Sequence, residues 1–269
     1  MANESEVMRI RAWLDAFIDS HRTGQEPVDS AIQLKAEHTL NVRREILDIG
    51  RSLSLEAEDL GTAEILALLH DVGRFEQFAR YRTFSDLRSE DHARLGARIL
   101  RRAGVLEGWD AASRSLVLFA VEHHNRAYLP AAADSRSLFF LKLLRDADKI
   151  DILRVATEYY RGLHRHDAIP MGLPDDPAIS ESVVQGVLAG AVVKMEEIRT
   201  LNDFKLLQMA WVFDVHFPRS FEIIRQRRFL DYIEAALPAT EPVREAAAAA
   251  RRYIEGPHAP QRQFSGDHS

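Results

Sequence analysis

Histidines and acids recur along this chain where helical faces should turn inward: His38, the pair His70-Asp71, His92, the doublet His123-His124, and the aspartates of RDADKID at 145–151. Imidazole and carboxylate together make a divalent-metal pocket, and gathering them inside a core is costly without a cation. Cys is absent, which excludes disulfides, thiolate zinc sites and cysteine nucleophiles. A metal here must be held by nitrogen and oxygen, so the candidates are Fe, Mn, Co, Zn or Mg, as one ion or two.

Elements that would position these groups follow from apolar spacing. Val7, Ile10, Leu14 and Phe17, and again Val183, Val187, Ala191, Met195 and Ile198, recur at helical intervals, whereas strand-like alternation is hard to find. The expected fold is all-α. Ser30 is expected to cap a helix running to about Leu53; the next helix starts near Thr62 or its acidic prelude and ends near the glycine of HDVGR. Ser89 should cap a helix stopped by Gly104. Further helices are expected at about Ala111 to His123 and Ser137 to Gly162. Beyond a loop from His164 to Pro177, others should run from Ile179 to Leu201, Asp203 to Phe217, Ser220 to Ala236 and Glu241 to Glu255. The expected organisation is one all-α domain over 1–257, with a metal-binding core at about 31–161, a C-terminal helical extension at about 178–255 and a disordered tail at 258–269.

His38 shares a stripe with Val42, Ile46, Ile49 and Leu53, so its ring should face the core. A core histidine taken alone is more often hydrogen-bonded than ligating. His70 and Asp71 change the balance, because they follow ILALL at a buried helix terminus where Gly73 lets the helix end. Asp146, Asp148 and Asp151 lie within about one turn, and apolar stripes accompany both of the first two, so spacing alone leaves the late acid open. His92 by itself reads as a surface histidine near a cap. Arg74 could hold a phosphate in bidentate fashion or form a surface salt bridge, and Arg126 and Lys149 carry the same alternatives. His164 and His166 fit a solvated loop, His216 fits an aromatic core or cap, and His21, His258 and His268 lie near expected ends. Trp211, Phe213, Phe217 and Phe221 fit helix packing or a dimer contact.

The ordered series, most closely in LLHDVGRFEQF and LLRDADKID, resembles the HD superfamily of metal-dependent phosphohydrolases. The resemblance covers roughly Ala31 to Arg161, and the longer run HDVGRFEQFARYRTFSDLRSEDHARLG resembles a bacterial branch of that superfamily. It implies an HD-type helical bundle with additional C-terminal helices. His38, His70, Asp71 and Asp148 would hold a first metal, and Asp71 would bridge to a second held by His92 and His124, with His123 either a ligand or a neighbour. Arg74 and Lys149 would steady charge on phosphoryl oxygens. The doublet in VEHHNRAYLP also resembles that of HD-GYP cyclic-dinucleotide phosphodiesterases, but the glycine-tyrosine-proline signature is missing. Di-iron oxygenases of the same superfamily use a similar cradle, and a silent nucleotide-binding module is a third reading.

Composition sets the outer limits. At 269 residues, 46% hydrophobic and with a formal charge of -6, the chain can bury a large core and offers no basic footprint for bulk nucleic-acid binding. No long apolar run marks a membrane span, and MANESEVMRI lacks the build of an export signal, so a cytoplasmic protein is expected. The expected partner is a small phosphorylated substrate, nucleotides included, and a homo-oligomer is compatible with the sequence. Walker-type and GxGxxG wording are absent, which disfavours a kinase or a nucleotide-driven motor.

Overall fold

A computed structural model describes residues 3–163 and 172–256. Among the described residues the regular elements are helices, with no strand. They are α1 (Glu4–Asp19), α2 (Val28–Ser52), α3 (Ala57–Leu69), α4 (Val72–Tyr81), α5 (His92–Ala103), α6 (Ala111–His123), α7 (Ser135–Tyr160), α8 (Glu181–Leu188), α9 (Leu201–Ala210), α10 (Pro218–Gln226), α11 (Phe229–Ala235) and α12 (Glu241–Glu255). No helix among them is long and apolar enough to cross a membrane. The expected loop segment 164–171 and the tail beyond Gly256 lie outside the described residues.

Two long helices form the axis of the molecule. α2 packs against α3 and α7 and presents Val42, Ile46 and Ile49 inward, all fully buried. α7 also meets α3, α6, α10 and α11, so the C-terminal helices lie directly on a helix that carries candidate ligands. One apolar cluster runs from Val7 and Ile10 of α1 to Ala250 and Ile254 of α12. Phe139 meets Phe217 edge-on at 5.6 Å, and Phe213 meets Tyr253 at 5.0 Å, so these aromatic rings serve packing within the chain.

Several boundaries depart from the sequence reading for local reasons. α2 begins two residues before Ser30, directly after Pro27, and the Ser30 hydroxyl donates back to the Pro27 carbonyl at 3.0 Å. α5 is capped by Asp91 rather than Ser89; its carboxylate accepts from the Ala93 and Arg94 amides at 3.0 and 3.1 Å. Gly104, with φ +62°, ends that helix as expected. Ile179 to Leu201 is not one helix, because α8 stops at Leu188 and Gly190 turns the chain at φ +66°. α9 starts at Leu201, two residues ahead of the expected Asp203, because Thr200 and Asp203 close a reciprocal capping box; it then gives way to a 3-10 turn at Trp211–Asp214. The expected helix Ser220 to Ala236 is divided by Arg228 at φ 57°.

The largest correction concerns Gly73. It does not end a helix; it lies in the first turn of α4, a helix that the sequence reading lacked. A Cβ at Gly73 would sit 2.1 Å from the His92 carbonyl oxygen and 2.8 Å from the Gly96 amide nitrogen. Glycine is needed because two helix backbones touch there, bringing the His70-Asp71 junction against the start of α5. Gly73→Ala should therefore destabilise the protein by about 1–3 kcal/mol or more, as overpacking of a backbone contact does. Urea denaturation with unchanged stability would contradict this account of the α4/α5 crossing.

Candidate metal centre

Five elements deliver the polar groups to one place. α2 supplies Lys35 and His38 from adjacent turns of one face; the α3/α4 junction supplies His70 and Asp71; α5 opens on His92; His124 follows the end of α6; and Asp148 and Asp151 come from the middle of α7. His38, His70, Asp71, His92 and His124 are buried. Donor atoms of His38, His70 and Asp71, of His70, His124 and Asp148, and of Asp71, His92 and His124 form groups lying within 4.8 Å of one another.

Proton placement on the imidazoles shows what this cluster lacks. Each of the four rings has its Nδ1 on an acceptor: His38 on Asp151 at 2.7 Å, His70 on the Ala67 carbonyl at 2.8 Å, His92 on Asp86 at 2.8 Å, and His124 on the Val121 carbonyl at 2.8 Å. Those contacts hold the ring protons on Nδ1 and leave each Nε2 a bare lone pair. Yet the Nε2 atoms face one another, 3.4 Å apart for His38 and His70 and 3.1 Å apart for His92 and His124. Neutral rings in this tautomer have no proton to share across those gaps, so the arrangement calls for a positive charge between them.

Asp71 joins the two halves. Its Oδ2 lies 3.5 Å from His38 Nε2 and 3.7 Å from His70 Nε2, while its Oδ1 lies 3.3 Å from His92 Nε2 and 3.7 Å from His124 Nε2. One carboxylate thus presents a separate oxygen to each histidine pair, the geometry of a bridging ligand. Asp148 completes the first half, with Oδ1 at 3.1 Å from His38 Nε2 and 3.7 Å from His70 Nε2. The donor set fits divalent metal chemistry on its composition alone.

An outer ring of partners orients these groups. Asp151 holds His38 and is itself bonded by Arg154 at 2.7 Å. Asp86 holds His92 and accepts from Arg74 at 3.0 Å, Gln77 at 2.8 Å and Asn125 at 3.3 Å. The sequence reading missed Asp86, which opens a single 3-10 turn without apolar periodicity, and Lys35, whose i, i+3 spacing to His38 was a usable signal. Lys35 bonds Asp71 Oδ2 at 2.8 Å.

Other predicted residues fall in varied places. Arg74 spends Nη1 on the Gln77 side chain, the Phe84 carbonyl and Asp86, and its Nε comes within 3.6 Å of Asp71 Oδ1. Lys149 is buried and bonded to Asp214 at 2.6 Å, alongside Arg145, whose other contacts are the carbonyls of His124 and Arg126. Asp146 accepts from the amides of His216 and Phe217 and from His216 Nδ1, away from the cluster. His123 is not brought in: its ring stacks on Phe119 and its Nδ1 meets the Phe119 carbonyl at 2.8 Å. Arg126 pairs with Asp91 at 3.3 Å, and His21 with the Phe17 carbonyl at 2.8 Å. His164, His166, His258 and His268 lie outside the described residues.

A scan against family models matches residues 36–153 to the HD domain. The chain contains an HD domain. The candidate ligands from His38 to Asp148 all fall inside the matched segment. No curated protein and no solved structure matches the chain.

Electrostatics follow from burial. Desolvation, reinforced for His92 by Arg74, pushes His70 and His92 down to about 4 despite Asp71 and Asp86. His38 goes the other way: burial and Lys35 oppose its charge, but Asp148 and Asp151 outweigh them and raise it. Asp71 resists the desolvation that would raise it, and Lys35 and the histidines hold it well below the usual carboxylate range. In metal-free protein, His70 and His92 take protons when unfolded but stay neutral when folded, between about 6.5 and about 4. His38 acts in the opposite sense. Stability of the metal-free protein should therefore fall as pH is lowered through that window; a urea midpoint that stays flat or rises would contradict this.

The two supports should separate the two halves. Asp151→Ala is expected to weaken metal held by His38 and His70, and Asp86→Ala metal held by His92 and His124, each by about 10–100-fold. Chelator competition with elemental analysis reads this directly, and identical losses in both variants would contradict independent half-sites.

Proposed function

We propose that this protein is a phosphohydrolase that cleaves a phosphoester with water, using two divalent cations held by His38, His70 and Asp148 on one side and His92 and His124 on the other, bridged by Asp71. The observation that carries this reading is the pairing of histidine Nε2 atoms across the two separate oxygens of Asp71. Bound at such a centre, two cations supply acidified water and screening of negative charge on a phosphoryl oxygen. The protein's own contribution is positional. Asp86, Asp151 and the carbonyls of Ala67 and Val121 keep the rings in the tautomer that leaves Nε2 free. Leu69 and Val72, the chain neighbours of His70 and Asp71, are buried. Oxygen from water bonds to phosphorus as the bond to the leaving oxygen breaks, and one proton of that water passes to the departing alcohol, giving alcohol and phosphate from a monoester or alcohol and a phosphomonoester from a diester.

Protein purified without chelators should carry between one and two transition metals per chain. An anaerobic screen of phosphoesters against Mn-, Fe- and Co-loaded protein should reveal release of phosphate or of a phosphorylated product, and Asp71→Ala should abolish both activity and most bound metal. Iron-dependent oxygen uptake with no anaerobic turnover would instead assign an oxygenase.

A further inference from the structure

We propose that Lys35 is the substrate-holding cation of this site and grips an oxyanion of a phosphomonoester dianion; the inference rests on the phosphohydrolase reading above. Of the cations near the candidate ligands, Lys149 and Arg145 are committed elsewhere and Arg74 is committed in part. Lys149 is tied to Asp214 at 2.6 Å in a buried group with Arg145. Arg74 braces the turn that carries Asp86, with Nη1 shared among Gln77, Phe84 and Asp86, while its buried Nε lies 3.6 Å from Asp71 Oδ1 without a hydrogen bond.

Lys35 keeps more of its donors. Its ammonium makes one hydrogen bond among the described residues, to Asp71 Oδ2 at 2.8 Å, which leaves two of its three donors for another acceptor. The Phe84 ring, with its centroid 5.6 Å from Nζ, offers a face but no competing acceptor. Exposure tells where a ligand can arrive. The side chains of His38, His70, Asp71, His92 and His124 are at most 4% exposed, whereas Lys35, Arg74 and Asp148 are each 15% exposed. A substrate reaching the centre from solvent thus meets these three side chains, and Lys35 brings its spare N–H groups against Asp71. Lys35 also lies one residue before the HD-matched segment, so the family match does not assign it.

Charge favours a dianion over a monoanion. Asp86 is paired with Arg74, and Asp151 with Arg154, so Asp71 and Asp148 are the acids left facing the centre. Two divalent cations together with Lys35 exceed those two carboxylates by three charges. A phosphomonoester dianion with an attacking hydroxide cancels that excess, whereas a diester monoanion leaves it partly uncompensated.

The test uses full-length metal-loaded protein, inorganic phosphate as calorimetric probe, and p-nitrophenyl phosphate and bis(p-nitrophenyl) phosphate as substrates. Lys35→Met should weaken phosphate binding by about 10-fold or more and raise KM for the monoester, with metal content unchanged. Lys35→Arg should recover most of that affinity. Wild-type phosphate affinity in Lys35→Met, or loss of metal from it, would overturn the assignment while leaving the phosphohydrolase reading standing. Wild-type preference for the diester would overturn the dianion. Turnover of neither ester together with absent phosphate binding in fully metallated wild-type protein would remove both readings.

Discussion

Four imidazole lone pairs aimed at one another around a single carboxylate are the constraint on which the rest of the centre depends. Hydrogen bonds on the far side of each ring prevent relief by tautomer exchange, because Nδ1 would then have to give up the proton that a carbonyl or carboxylate accepts. Only positive charge relieves it. A proton on His38 is one substitute, and Asp148 and Asp151 favour that proton; a divalent cation is the better one, since it serves two rings and an acid together.

Such a cluster is held in shape by helix packing. Burial of α2 against α3 and α7 sets His38 opposite His70 and Asp148, while the bare backbone contact at Gly73 sets Asp71 opposite His92. These are independent contacts, one apolar and one steric, and Asp71 lies where their effects meet. A side chain added at Gly73 acts through distance, by pushing one half of the centre from the other.

Much of this was legible from residue order. The all-α class followed from periodicity, and α6 and α12 matched their expected spans, because each begins after a polar residue and continues with regular apolar spacing. Breaks that depend on a single left-handed residue were less visible: Arg228 divides α10 from α11, although arginine ordinarily favours helix. Gly73 misled because glycine after a buried run reads as a terminator, while its role is to let another backbone approach. At the site, His38, His70, Asp71, His92, His124 and Asp148 converge in the order the chain presents them. Asp86 was not legible, since its value depends on a tertiary meeting with His92 that no local pattern encodes.

Arg145 carries a consequence for where this molecule can be cut. Its guanidinium spans from the carbonyl of His124, inside the HD-matched segment, to Asp214, well beyond it, and Lys149 shares that same acid. A fragment trimmed to the matched residues would keep two interior cations and discard their counter-ion, leaving the turn behind His124 with an unbalanced anchor. The unit that holds the candidate site, in electrostatic terms, is therefore longer than the matched segment, and its last balancing charge comes from the 3-10 turn after α9.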